Sequence, residues 1–344
     1  MLNNKLSSIE FLRFISALAV VFYHYNQLFI NFDNNLLETL PFFSALKIFY
    51  VYGHYAVEIF FTTSGFIFSH IYLHLRKNVK LKEFFINRFS RLYPIHFVSL
   101  IAVSLIFLLD PDILNYQGFR SVGETLFLDI YHFFLQLFFV SSWGFEKGYS
   151  FNAPSWSISV EIALYILFFL SLKKLSKLGL KLAIFYVILF LIIYKFTHIL
   201  PVITKAAILF FSGIIIRELK VLKKPNKVFL VGLILFIFSF FGNFSITLFC
   251  PGILIIFDYF EKFIIFSKLK KSLNLLGNLS YSIYMLHFPL FIIFIKLINN
   301  NFNFNIYSNK LFFLIFFFLI IIISFISFKF FEDPIKKKIR LIYL

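Results

Sequence analysis

Residues 7–30 read SSIEFLRFISALAVVFYHYNQLFI. The run is too long for the apolar segment of a secretory signal, has no small-residue cleavage site, and carries Arg13 and His24 inside it. It therefore predicts a retained membrane span over 9–30 rather than a cleaved leader, with Ser7 and Glu10 as a capping box at its start. Arg13 and His24 are eleven residues apart, close to three whole helical turns. Both lie on one face, about 16 Å apart along the axis. Ionisable groups inside a span are costly and mark function. The milder readings are that Arg13 snorkels to the interface and that His24 is a hydrogen-bonded bundle residue.

The rest of the chain repeats this pattern. Of 344 residues 60% are hydrophobic, 57 are Phe, only 14% are charged, and mean hydropathy is +0.89. A soluble core cannot hide that much apolar side chain. Ten apolar segments of spanning character follow, at 9–30, 45–73, 92–109, 154–171, 182–198, 202–217, 228–241, 244–260, 278–297 and 311–331. The stretch 126–142 is also apolar but carries Asp129, His132 and Gln136 at helical spacing. It is expected to be a re-entrant or interfacial helix.

Charge fixes the orientation. The net charge is +17, but the basic residues sit in short clusters between apolar runs, which argues against a nucleic-acid face. With both termini cytoplasmic, 25 of the 33 basic residues fall in inner segments and seven in outer ones, with Arg13 inside the first span. That is the positive-inside pattern. The expectation is an all-α polytopic protein of about ten transmembrane helices. It forms a single membrane domain over 1–344 in a lipid bilayer, without a soluble extracytoplasmic domain. The lone Cys250 excludes an intrachain disulfide. His70 and His74 have metal-like spacing but no evident third ligand, so no metal site is expected.

Four further clusters carry polar groups into apolar surroundings. Residues 53–66 place His54, Glu58, Ser64 and Gly65 in the second span. Glu58 must be neutral or paired there, and His54 is one turn away. Ser64 and Gly65 equally suit close helix packing. Residues 87–94 (NRFSRLYP) set Arg88 and Arg91 at i, i+3, two guanidinium forks suited to phosphate, with Pro94 at a bend or at the opening of the third span. Residues 153–165 begin the fourth span with Trp156, Ser157 and Ser159. They put Ser157, Glu161 and Tyr165 on one face. In the ninth span Ser280, Tyr284 and His287 align at i, i+4, i+7, and Pro289 frees a backbone carbonyl.

Taken together and in this order, these motifs resemble the acyltransferase 3 family of integral membrane proteins. The resemblance rests on Arg13 and His24 with ten residues between them, on Glu58 through Ser64-Gly65-Phe66, on Arg88 and Arg91 ahead of Tyr93-Pro94, on Trp156 through Glu161, and on Ser280 through His287 and Pro289. The closing Phe331-Glu332-Asp333-Pro334 before a basic tail also fits. Ala56, Ile162 and Ala163 depart from the family's usual residues. The resemblance implies O-acyl transfer, usually acetyl from acetyl-CoA, to a carbohydrate hydroxyl of a cell-surface glycan such as O-antigen or exopolysaccharide, at the bacterial inner membrane. In that frame His24 is the general base, with a covalent acyl-enzyme less favoured. Glu161 or Glu58 orients the imidazole or contacts the acceptor. Arg88 and Arg91 hold the CoA phosphates, and Arg13 lies on the donor path. The alternative is a transporter or flippase of glycan intermediates, with buried carboxylates and histidines as a proton relay. It would predict inverted repeats, and the sequence has none. A glycan polymerase or a nonenzymatic scaffold fits the ordered polar residues less well.

Overall fold

The computed structural model describes the chain except residues 1–5, 31–35, 76–78, 113–125, 198, 223–224, 242–244 and 302–303. Lys5, Arg76, Lys77, Arg120, Lys223, Lys224 and the centre of the Asn299–Asn305 stretch therefore lie outside the described residues. The described architecture is almost entirely helical, with one pair of two-residue strands.

Helices occupy all ten predicted segments. α1 is Ser7–Ile30. The second segment is not one regular helix: α2 (Phe43–Tyr52) passes through a 3₁₀ turn, Gly53–Tyr55, into α3 (Ala56–Phe68) and a π-helical stretch, Ser69–Leu75. α4 spans Leu81–Leu109 and runs straight through Pro94. The third segment thus begins about three turns before the expected residue 92. α5 (Ile130–Leu137) lies between β1 (Leu126–Phe127) and β2 (Tyr149–Ser150). At eight residues it is about 12 Å long, too short to span. Then come α6 (Trp156–Leu178), α7 (Leu180–Phe196), α8 (Pro201–Leu222), α9 (Pro225–Phe238), α10 (Ile246–Phe260) and the short α11 (Ile264–Lys268). The chain closes with α12 (Lys270–Asn301), α13 (Lys310–Ser327) and the amphipathic α14 (Asp333–Tyr343).

Among the described residues, six helical segments are long and apolar enough to cross a membrane: Ser7–Gln27, Phe43–His74, Leu81–Leu109, Ala153–Leu178, Lys270–Leu297 and Lys310–Tyr343. α9 and α10 are shorter apolar helices, and α7 has 17 residues. Leu108, Leu170 and Phe318 stand more than half exposed, the outward apolar surface that lipid covers.

Two packings position the site. α1 lies against α12, burying Val21, Tyr25, Ile283 and Phe291 in one aromatic-rich core. α3 crosses α8 at backbone contact. A Cβ on Gly65 would fall 1.8 Å from the Phe210 carbonyl oxygen, and one on Gly213 would fall 2.0 Å from that of Thr62. The two glycines together permit the crossing, as small residues do between membrane helices. Pro289 has no N–H to offer Met285, and the Met285 carbonyl accepts instead from Asn152 Nδ2 at 3.1 Å. Asn152 also donates to Ser99 Oγ at 2.9 Å, so the proline's free carbonyl ties α12 to α4 and to the start of α6.

The capping box at Ser7 does not form. The Ser7 hydroxyl is buried without a hydrogen-bond partner, the Glu10 N–H goes to the Leu6 carbonyl, and Glu10 pairs with Arg13 at 3.2 Å. A residue remote in sequence, Glu261, takes the Ser8 N–H instead, at 2.7 Å.

Candidate active site

Four cavities follow one another through the helices, each sharing lining residues with the next. The first, about 30 Å³, is lined by Arg91, Asn278, Tyr281, Glu332, Asp333 and Lys336, at the end of the bundle where α13 meets α14. Arg91 and Tyr281 also line the second, the inner cavity of about 50 Å³. Val57 and Tyr284 pass from there into the third, the outer cavity of about 250 Å³. Tyr149, Ala153 and Trp156 join that to a fourth of about 250 Å³, formed by the 136–150 segment and Val202.

The inner cavity is built from motif residues. Arg13, Arg88 and Arg91 converge on it with one lining carboxylate, Glu161. Arg88 is caged: its guanidinium stands 4.5 Å from the Phe68 ring, 5.3 Å from Tyr72 and 5.8 Å from Tyr165. Nη2 and Nε donate to the Tyr72 hydroxyl at 2.6 and 3.2 Å. Cation–π contact and two hydrogen bonds hold the charge in place without consuming it in an ion pair. Glu161 Oε1 accepts from Ser64 at 2.8 Å and from the Tyr165 hydroxyl. A cavity with three guanidiniums and one carboxylate favours an anionic ligand.

The outer cavity is built around histidine. His24 and His287 stack with ring centroids 5.0 Å apart, and His287 Nε2 is 3.0 Å from His24 Nδ1. His287 is fully buried, and its Nδ1 lies 3.2 Å from the Ile283 carbonyl. Tyr23, Gln27, His54, Glu58, Tyr149 and Trp156 complete the walls. Lys205 Nζ reaches Glu58 Oε1 at 2.9 Å and neutralises it.

Tyr284 stands between the two cavities. Its hydroxyl donates to the Pro154 carbonyl at 2.9 Å and lies 2.8 Å from Ser157 Oγ. The wall is therefore pinned by hydrogen bonds at the start of α6.

The expected site residues are distributed as follows. Arg13, Ser64, Arg88, Arg91, Ser157, Glu161 and Tyr284 line the inner cavity. His24, Glu58, Trp156 and again Tyr284 line the outer one, with His287 behind His24. Gly65 serves packing, while its neighbour Ser64 serves Glu161. Ser159 lines none of these four cavities. Its hydroxyl accepts the Ser142 N–H at 3.0 Å and its carbonyl accepts Trp143 Nε1–H at 2.9 Å, anchoring the loop that holds Ser142 and Trp143.

Two expected pairings change. Glu58 is held by Lys205 rather than by His54. The side-chain hydrogen-bond partner of His24 is a second imidazole, neither Glu161 nor Glu58. Lys205 entered the sequence reading only as an outer basic residue. Its signal was available: a lysine one turn into an apolar helix needs a counter-ion. His74, expected beside His70 at helical spacing, sits on the π-helical stretch and bonds Glu218 at 2.8 Å. No group of three or more His, Cys, Asp or Glu among the described residues could hold a metal ion.

The profile of the acyltransferase domain family matches residues 6–329. The chain belongs to the acyltransferase 3 family. All four cavities are lined by residues of the matched region except for parts of the first. Among similar proteins of this kind is acyltransferase MdmB of Streptomyces mycarofaciens, 33% identical over 178 residues, 51% of this chain and 41% of the relative. Peptidoglycan O-acetyltransferase OatA of Listeria monocytogenes is 30% identical over 199 residues, 52% of this chain and 26% of the relative. The match thus spans less than half the length of either relative. No solved structure matches the chain.

Proposed function

We propose that this acyltransferase 3 member moves an acyl group, acetyl from acetyl-CoA, to a hydroxyl of a cell-surface carbohydrate. One observation carries the reading: a cavity with three guanidiniums adjoins a histidine cavity at Val57 and Tyr284. The first suits the phosphates of a CoA thioester, which Arg88 and Arg91 bind with Arg13 beside them. The second suits base catalysis on a neutral hydroxyl, because its one carboxylate is already paired with Lys205. The peptidoglycan O-acetyltransferase name of one relative supports a glycan acceptor.

The reaction follows from the order of the groups. The thioester carbonyl comes to the Tyr284 wall from the inner side. The acceptor hydroxyl stands in the outer cavity, gives its proton to His24, and attacks the carbonyl carbon. The tetrahedral intermediate collapses, the C–S bond breaks, and the imidazolium returns the proton to the departing CoA thiolate. Glu161, held by Ser64 and Tyr165, balances charge among the guanidiniums of the inner cavity rather than orienting the base. The inner cavity has room for only one or two water molecules. Donor binding therefore widens it, with Tyr284 and the α13–α14 end as the movable boundaries.

The same reading sets the membrane topology at ten spans with both termini cytoplasmic, in the bacterial inner membrane. The positive-inside pattern supports it, and it places the guanidinium cavity at the cytoplasmic end where CoA is available.

The test compares cells expressing the chain, lacking it, or carrying His24→Ala, fed labelled acetate. Base-labile label on surface glycan that needs both the chain and His24 is the expected result. Equal label in all three, with the variant expressed normally, overturns the reading.

A further inference from the structure

We infer that His287 is a positioning residue that selects the tautomer of His24, leaving the lone pair of His24 Nε2 as the proton acceptor in the outer cavity. The inference rests on the reading of His24 as the general base and adds the group that makes it one.

The argument is a proton count. His287 Nδ1 lies 3.2 Å from the Ile283 carbonyl. A carbonyl only accepts, so this nitrogen carries the hydrogen. A neutral imidazole has one N–H, so His287 Nε2 is then an acceptor. Its neighbour at 3.0 Å is His24 Nδ1, which must donate. His24 has then spent its single hydrogen, and Nε2 holds a lone pair. The Ile283 carbonyl can do this because a carbonyl has two lone pairs: one takes the backbone N–H a turn later, the other the ring. Helical geometry thus sets the first tautomer, and the first sets the second.

Burial reinforces the direction. His287 is 0% exposed, sealed among Phe291, Tyr284 and the residues of α1, whereas His24 lines the cavity. When His24 takes the acceptor's proton at Nε2, the new cation keeps its Nδ1–H bond to a neutral His287. No proton leaves the pair. It returns through the same Nε2 to the thiolate, so His287 gains and loses nothing over the cycle.

Tyr23, His54, Glu58, Lys205 and Tyr284 also face or adjoin this cavity. The Val20 carbonyl, one turn earlier on α1, also bonds the His24 ring, and among side chains it is His287 whose Nε2 stands within hydrogen-bond distance of Nδ1, at 3.0 Å.

The experiment is nitrogen-15 NMR of histidine-labelled full-length protein in lipid bilayers, with His24 assigned by its disappearance in His24→Ala. The expected wild-type spectrum has His24 protonated at Nδ1 and bare at Nε2. In His287→Leu the His24 signals move toward a mixture of tautomers. In the same variant, the rate of acetyl transfer falls about 10- to 100-fold, with the KM for acetyl-CoA unchanged. His287→Gln, which can present an amide oxygen where Nε2 stood, restores part of that rate. His24 found protonated at Nε2 in the wild type overturns the proposal. So does a His287→Leu protein with wild-type tautomer and rate. Failure of the base reading is seen separately: His24→Ala would keep full transfer while the tautomer result stood.

Discussion

The inner and outer cavities meet at Val57 and Tyr284, yet they are built on opposite principles. In the inner cavity Arg13 pairs with Glu10, but the charge of Arg88 is kept available. Arg88 is held by aromatic faces and a phenol, and the one lining carboxylate is occupied by two hydroxyls. In the outer cavity charge is cancelled. Glu58 is matched by Lys205, and His24 meets a second imidazole instead of a carboxylate. Space runs the other way: about 50 Å³ inside and about 250 Å³ outside. A tight cationic cavity fits one invariant anionic partner, and a roomier neutral one fits a hydroxyl compound while protecting a neutral base. In the proposed reaction, binding energy lies on one side of Tyr284 and proton transfer on the other.

The strongest way to break that division is at His24. If the outer cavity carries only chemistry, His24→Ala lowers acetyl transfer about 10²- to 10⁴-fold. Acetyl-CoA binding, measured by calorimetry on the solubilised protein, stays at its wild-type value. A large loss of donor affinity in this variant would merge the two cavities into one site and end the comparison.

The converse change is next in size. If the two guanidiniums bind the CoA phosphates as proposed, Arg91→Ala and Arg88→Ala each remove a charge-assisted contact, about 1.5–3 kcal/mol. Acetyl-CoA affinity then falls roughly 10- to 150-fold. Arg88→Lys should rescue little, because a lysine cannot reproduce the planar stack on Phe68 together with paired bonds to Tyr72. A full rescue by lysine would show that the aromatic cage is packing alone.

How far the sequence foretold this division depends on distance along the chain. Local spacing was sufficient for the inner cavity. Arg88 with Arg91, and Ser157 with Glu161 and Tyr165, point together because 3.6 residues make a turn. The eleven-residue step from Arg13 to His24 likewise assigned one residue to each cavity. Pairing between remote helices was not legible. His24 and His287 are 263 positions apart, and Lys205 and Glu58 are 147 apart. No periodicity specifies which helix faces which. The same limit hid Ser64 of another helix as a partner of Glu161, whereas its helical neighbour Tyr165 was legible from spacing. It also hid the role of Ser159, whose hydroxyl and carbonyl serve the loop that holds Ser142 and Trp143. Helix starts failed for a different reason. α4 begins at Leu81, among Lys82, Glu83 and Arg88, where hydropathy ends but hydrogen bonding continues.

A smaller effect sharpens the electrostatic half of the comparison. Lys205→Met leaves Glu58 partly buried without its cation, a loss of about 1–3 kcal/mol. The melting temperature falls accordingly. Adding Glu58→Gln to it recovers most of the loss, since the pair is then absent rather than broken. If the double variant is as unstable as Lys205→Met, Glu58 is stabilised by something other than Lys205, and the outer cavity is not neutral by pairing.

The smallest change tests the wall itself. Tyr284→Phe keeps the ring that separates the cavities and deletes the hydroxyl that pins it to Pro154 and Ser157. The lost hydrogen bond is worth about 1 kcal/mol, so transfer changes by about fivefold at most, and donor affinity stays put. The direction of the change is informative. Donor entry widens the inner cavity, and this wall is one of its two movable boundaries. If wall motion limits turnover, the unpinned ring opens more readily and transfer speeds up. If the hydroxyl instead helps hold the thioester carbonyl at the boundary, transfer slows and the apparent KM for acetyl-CoA does not change. Tyr284→Ala removes the ring and joins the cavities. Water then reaches the thioester, and acetyl-CoA hydrolysis without acceptor should rise relative to transfer. A Tyr284→Ala protein with the wild-type ratio of hydrolysis to transfer would mean that the boundary between the two regions lies elsewhere.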